Sequence, residues 1–70
     1  MDDEVVGVLG VLSVATRGAD GPGEVVLRVR GGTESYLARS DEPIAVGAKV
    51  LVVESHGGRT VTVVAFPDQI

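Results

Sequence analysis

Apolar and polar residues alternate along this chain in short, valine-rich blocks. Residues 24–30, EVVLRVR, place Val25, Leu27 and Val29 on one face of an extended strand and Val26, Arg28 and Arg30 on the other. Gly31 and Gly32 turn the chain, and residues 33–40, TESYLARS, return with Tyr36 and Ala38 on one face and Ser35, Leu37 and Arg39 on the other. Residues 49–54 are almost wholly apolar and largely β-branched, and residues 59–66 alternate threonine with valine. Val50 and Val52 point one way there, as do Val61, Val63 and Ala65 on the partner. Between these runs sits His56-Gly57-Gly58, a hairpin signal, because glycine reaches positive φ without a steric penalty.

The first block, residues 5–16, is long and alternates poorly, with Gly7 and Gly10 inside it. Glycines and β-branched residues argue against a buried helix, and a glycine within a strand marks a bulge, a bend or a close backbone approach. A first strand that curls enough to pair with two neighbours meets that description. Residues 17–23, RGADGPG, predict a loop, and Asp41-Glu42-Pro43 ends the third strand, since proline cannot continue a ladder. Ile44, Gly47 and Val50 form a turn that swings the chain into the fourth strand. Five strands with glycine bends predict an all-β, five-stranded Greek-key barrel of the oligonucleotide/oligosaccharide-binding (OB) type over residues 5–66. An SH3-like barrel is the alternative. Residues 1–4 and 67–70 read as a disordered start and a tail.

Composition narrows the chemistry. Seventy residues make one small domain. Only Tyr36 and Phe66 are aromatic, so the core is aliphatic. There is no cysteine, which excludes disulfides and thiolate metal sites. No apolar run approaches the roughly 20 residues that cross a bilayer. A net charge of −4 disfavours a domain held to nucleic acid by its phosphates.

Candidate chemistry is sparse. His56 is the only histidine and sits beside Gly57-Gly58, where it reads as a solvated turn residue rather than a ligand; no metal and no cofactor are expected. Ser13, Ser35, Ser40 and Ser55 have no plausible base, and Asp41 and Glu42 are adjacent, so they diverge rather than share a proton. Gly18, Gly21 and Gly23 resemble a phosphate loop only in composition, because no helix follows and Asp20 and Glu24 repel an anion. No catalytic residue is assigned and no small-molecule site is expected. Arg28, Arg30 and Arg39 remain, on the outward faces of the second and third strands beside Leu37, with Arg17 leading the loop before them. This face is the candidate partner-binding surface. It lacks free rings, and each base stacked on a ring contributes about 1–3 kcal/mol, so a protein partner is favoured over a polynucleotide. Val26, Leu51, Val53, Val64 and Phe66 fall opposite the predicted core and would form an apolar contact patch if exposed together.

The succession Gly7-x-x-Gly10, a glycine-rich loop and Gly31-Gly32-Thr33-Glu34-Ser35-Tyr36-Leu37-Ala38 resembles the C-terminal soluble domain of NfeD-like proteins. So does Glu42-Pro43-Ile44-x-x-Gly47-x-x-Val50-x-Val52-Val53, followed by Gly57-Gly58-x-x-Val61-x-Val63. The resemblance implies a non-catalytic OB barrel that usually follows membrane-spanning segments and partners stomatin-, prohibitin- or flotillin-type scaffold proteins. It places the domain at the membrane surface of a bacterial cell when part of a longer chain, and in the cytoplasm otherwise. Two other functions stay open: a small nucleic-acid binder similar to translation initiation factor one or the cold-shock proteins, and an accessory domain that modulates an attached protease.

Overall fold

The computed structural model describes residues 3–67. Its strands are β1 (Leu9–Val14), β2 (Thr16–Arg17), β3 (Gly23–Val29), β4 (Gly32–Arg39), β5 (Pro43–Ile44), β6 (Lys49–Ser55) and β7 (Thr60–Ala65). A closed barrel runs in the order β1-β3-β4-β7-β6 and back to β1, while β2 and β5 make a separate two-stranded sheet. All neighbours in the barrel are antiparallel except β4 and β7, which run parallel. The barrel matches the predicted strand count and the closure on the first strand, and it is the OB-type architecture rather than the SH3-like alternative.

Period-two alternation places the core. Val25, Leu27, Tyr36, Ala38, Val50, Val52, Val61 and Val63 all point inward and are buried, with Leu12 and Val5 beside them. Ala65, expected on the inward face, is exposed: it lies at the rim, past Thr62, the last β7 residue that pairs with β4.

The first block is divided where the pattern predicts one strand. Asp3–Val5 form a 3-10 turn, β1 starts only at Leu9, and β1 and β2 are separate strands. Val5 is 1% exposed, so the turn plugs one end of the barrel. Gly7 N–H to Val52 O (2.8 Å) and Val52 N–H to Val8 O (3.0 Å) tie it to β6. Gly10 lets β1 lie against β3: a Cβ there would stand 2.7 Å from Val26 O and 2.6 Å from Leu27 Cδ2. Gly23 is tighter still, since a Cβ would meet Val14 O at 2.2 Å. At both positions glycine serves close approach rather than positive φ.

The loop expected at 17–23 contains Arg17 in β2 and a 3-10 turn, Gly18–Asp20. Thr16 and Ser40 are buried polar residues that explain how β2 and β5 hold together. Ser40 Oγ lies 2.7 Å from Thr16 Oγ1 and 2.7 Å from Glu42 O, and Ile44 N–H donates to Thr16 Oγ1 at 2.9 Å. The knot satisfies every polar group it buries and pins the β4–β6 connection across the barrel.

Candidate functional site

Two surfaces of the barrel hold the residues singled out by the sequence. The first is a groove of about 550 Å³ between the turn after β2 (Gly18, Gly21, Pro22) and the β6–β7 hairpin tip (His56, Gly57). Its floor is the outer face of the parallel β4–β7 pair, where Arg39 stands beside Thr62 and Leu37 beside Thr60. The same two loops flank the ligand face of OB folds generally, although there the floor is formed by the second and third barrel strands. His56 Nε2 lies 2.6 Å from Thr62 Oγ1 and 3.7 Å from a Glu54 carboxylate oxygen, which holds the imidazole along the hairpin. The Arg17 guanidinium rests on Gly21 at the groove wall. Asp41 lines the groove as well and opposes an anionic ligand.

The expected arginine cluster is divided. Arg28 and Arg39 both face outward, but they occupy opposite ends of the β3–β4 ribbon. Arg28 pairs with Thr33, while Arg39 lies past Ala38, the partner of Gly23. At about 3.4 Å per residue that separates them by roughly 20 Å along the strands. Arg30 is not on the strand face at all. It sits in the β3–β4 turn at φ 51, with its guanidinium 2.6 Å from a Glu4 oxygen. Arg39 therefore belongs to the groove, Arg17 stands behind its Gly21 wall, Leu37 stands next to it and is 46% exposed, and Arg28 belongs elsewhere. Among the described residues Arg17, Arg28 and Arg39 form no ion pair, whereas Arg30 and Arg59 do.

The second surface is the apolar outer wall of β1, β6 and β7. Register sets Leu9 beside Leu51 and Leu51 beside Val64 in one row. A parallel row runs from Val26 through Val11 to Lys49 and on to Phe66, whose N–H reaches Lys49 O at 2.9 Å. Leu9, Val11, Val64 and Phe66 are each 42–46% exposed. One step beyond the β1–β3 pairs, Arg28 continues the first row beside Leu9. The sequence pointed to Val26, Leu51, Val53, Val64 and Phe66 for this patch. Val53 is exposed but sits at the β6 register shift outside both rows, and Leu9 and Val11 were missed because the first block does not alternate. Their signal was the phase set by Gly10 and Leu12, both buried.

Among the described residues no helix is long and apolar enough to cross a membrane, and no group of three or more His, Cys, Asp or Glu side chains gathers as a metal site. No curated protein matches the chain. Among solved structures it is similar to the soluble domain of the NfeD protein YuaF from Bacillus subtilis, with 35% identity and a TM-score of 0.79 over 96% of this chain and 80% of that one. It is similar also to the C-terminal domain of a stomatin operon partner protein from Pyrococcus horikoshii, with 28% identity and a TM-score of 0.72 over 97% of both chains. The family model described as the NfeD C-terminal domain matches residues 9–64, which span all the barrel strands up to Val64. A valine barrel closed on its first strand, and a family match over most of its length, lead to one assignment: the chain belongs to the NfeD C-terminal domain family.

Proposed function

We propose that this domain is a non-catalytic protein-docking module that works beside a membrane and binds a stomatin-, prohibitin- or flotillin-type scaffold protein. The observation that carries the reading is the apolar outer wall, in which Leu9, Val11, Leu51, Val64 and Phe66 form two adjoining rows on a rigid barrel. Exposed apolar patches of this kind mark contact with other proteins. The similar archaeal domain, described as a stomatin operon partner, supports the choice of partner class. Arg28 at the edge of the wall supplies a polar contact beside it, and Arg17 and Arg39 by the groove supply further polar contacts with Leu37 as an apolar one. Arg30 contributes through the Glu4 pair to the turn rather than to binding. Ser40 shares the groove with His56, but its Oγ is bonded to Thr16 Oγ1 and Glu42 O and the imidazole to Thr62 Oγ1, which supports the non-catalytic reading.

The test is co-purification with stomatin-, prohibitin- and flotillin-type proteins of the same cell, with and without the pair of changes Leu9→Lys and Val64→Lys. Capture by the native domain and loss in the double variant are expected. Equal capture by both would remove the wall from the interface. Titration with single-stranded DNA and RNA at low salt tests the nucleic-acid alternative. Submicromolar binding that falls steeply with salt and with Arg39→Ala would replace this reading with an OB-fold nucleic-acid binder.

A further inference from the structure

The barrel is closed, yet β4 is not paired along its whole length on both sides. β3 accompanies it from Gly32 to Ala38, whereas β7 accompanies it only from Leu37 to Arg39. Leu37 N–H donates to Arg59 O at 2.8 Å, which fixes the parity: odd residues of β4 turn their main-chain groups toward β7, even ones toward β3. Thr33 and Ser35 therefore direct N–H and C=O to a side where no described strand receives them, and both are exposed. A groove of about 260 Å³ lies alongside, between Glu24, Ser35 and Leu37 on one bank and Gly58 and Arg59 on the other. Native edges are blunted by proline, lysine or bulges. This one carries none of those three; its charge is Glu34, which is taken up by Arg59 at 3.2 Å, with Arg59 5.8 Å from the Tyr36 ring centre.

We propose that the Thr33–Ser35 edge is a strand-addition site for an extended, basic segment of another polypeptide, paired to the main chain of both residues. Strand addition draws affinity from main-chain hydrogen bonds and specificity from adjacent side-chain pockets. Charge selects the occupant. Glu24 lines the groove and forms no ion pair among the described residues, Arg59 on the other bank is paired with Glu34, and the chain carries −4 overall. Arg28, cross-strand from Thr33, keeps the occupant's cations toward the Glu24 end. A second copy of this chain fits worse, because antiparallel pairing of Thr33 with Ser35 across two copies sets the two Glu34 side chains opposite each other, and like charges directly opposite destabilise. The site adjoins the wall through β3, where Val26 pairs with Ser35 and Arg28 with Thr33, but it uses the main-chain edge of β4 rather than those side chains and stands whether or not the wall binds a scaffold protein.

The experiment uses the isotope-labelled domain and the capped hexapeptide Lys-Val-Lys-Val-Lys-Val as probe, at up to about millimolar concentration, a range suited to so short an interface. The expected result is slowing of Thr33 and Ser35 amide exchange by about tenfold or more, with the largest shift changes at Thr33, Ser35 and Gly58. An analogue N-methylated at alternate residues leaves the protein untouched and is expected to lose the effect. Ser35→Pro is expected to lose it too. Unchanged exchange at both amides, equal binding by the methylated analogue, or equal binding by Glu-Val-Glu-Val-Glu-Val would overturn the proposal. So would protection that rises with protein concentration alone, which would make the occupant a second copy.

Discussion

Gly10 has a cost if replaced that local propensity would not suggest. An alanine at an unstrained glycine gains about 0.4–1 kcal/mol by stiffening the unfolded chain. Here the new Cβ meets Val26 O at 2.7 Å and the Leu27 and Val25 side chains at 2.6 and 2.8 Å, and a backbone oxygen within a paired strand cannot yield alone. Overpacking of this kind costs about 1–3 kcal/mol or more and wins. Gly10→Ala is expected to lower the thermal midpoint by about 4–8 °C per kcal/mol lost, in calorimetry or circular dichroism. Thr16 tests the buried knot in the same way. Thr16→Val keeps the volume but removes the acceptor of Ile44 N–H and the partner of Ser40 Oγ. A loss of about 1–3 kcal/mol is expected in urea unfolding, whereas Thr16→Ser, which keeps the hydroxyl, is expected to lose less. A larger loss for Thr16→Ser than for Thr16→Val would show that packing of the methyl, not the hydrogen bonds, holds β2 to β5.

The N-terminal turn shows what a one-dimensional pattern can and cannot carry at the scale of an element. Val25, Leu27, Tyr36, Ala38, Val50 and Val52 were legible as core because strand parity needs only the residue's own neighbours in sequence. Val5 was read as the start of a strand, since nothing in a continuous apolar run says which residue folds over the barrel end; the signal was Gly7, at φ +90, which separates the 3-10 turn from β1. Arg28 and Arg39 likewise had the right parity, yet the distance between them follows from the β3–β4 register, which parity does not encode. The register shifts within β1 after Leu12 and within β6 after Val52 were equally silent, because a bulge depends on the partner strand. Val5 is a buried stopper of the barrel end, so Val5→Ala is expected to cost about 2 kcal/mol by the cavity it leaves. Chemical denaturation measures it, and a change under about 0.5 kcal/mol, the range of ordinary surface substitutions, would mean the plug adds nothing.

At the scale of the whole molecule, a barrel this small has little surface to divide among partners. A standard interface takes roughly 800 Å² per side, between a fifth and a sixth of the 4541 Å² exposed here. A contact of that size takes in the cations that stand with the apolar residues, Lys49 between Val11 and Phe66 and Arg28 beside Leu9. A net charge of −4 adds to this, because two copies repel while a partner with acidic groups near those cations does not. The centre of such a patch carries most of the energy and the rim little. Leu9 and Val64 flank Leu51 in one row and are the central probes. Burying one aliphatic side chain contributes about 1.5–3 kcal/mol, so each lysine substitution is expected to weaken partner capture by about tenfold or more. Both side chains already stand 44–45% exposed, so the fold is expected to tolerate them with a stability change within about 1 kcal/mol. Binding and unfolding measured on the same variants separate the two effects. Weakened capture with an intact unfolding midpoint assigns the rows to docking, and a collapsed midpoint with capture in proportion to folded protein assigns them to the barrel itself.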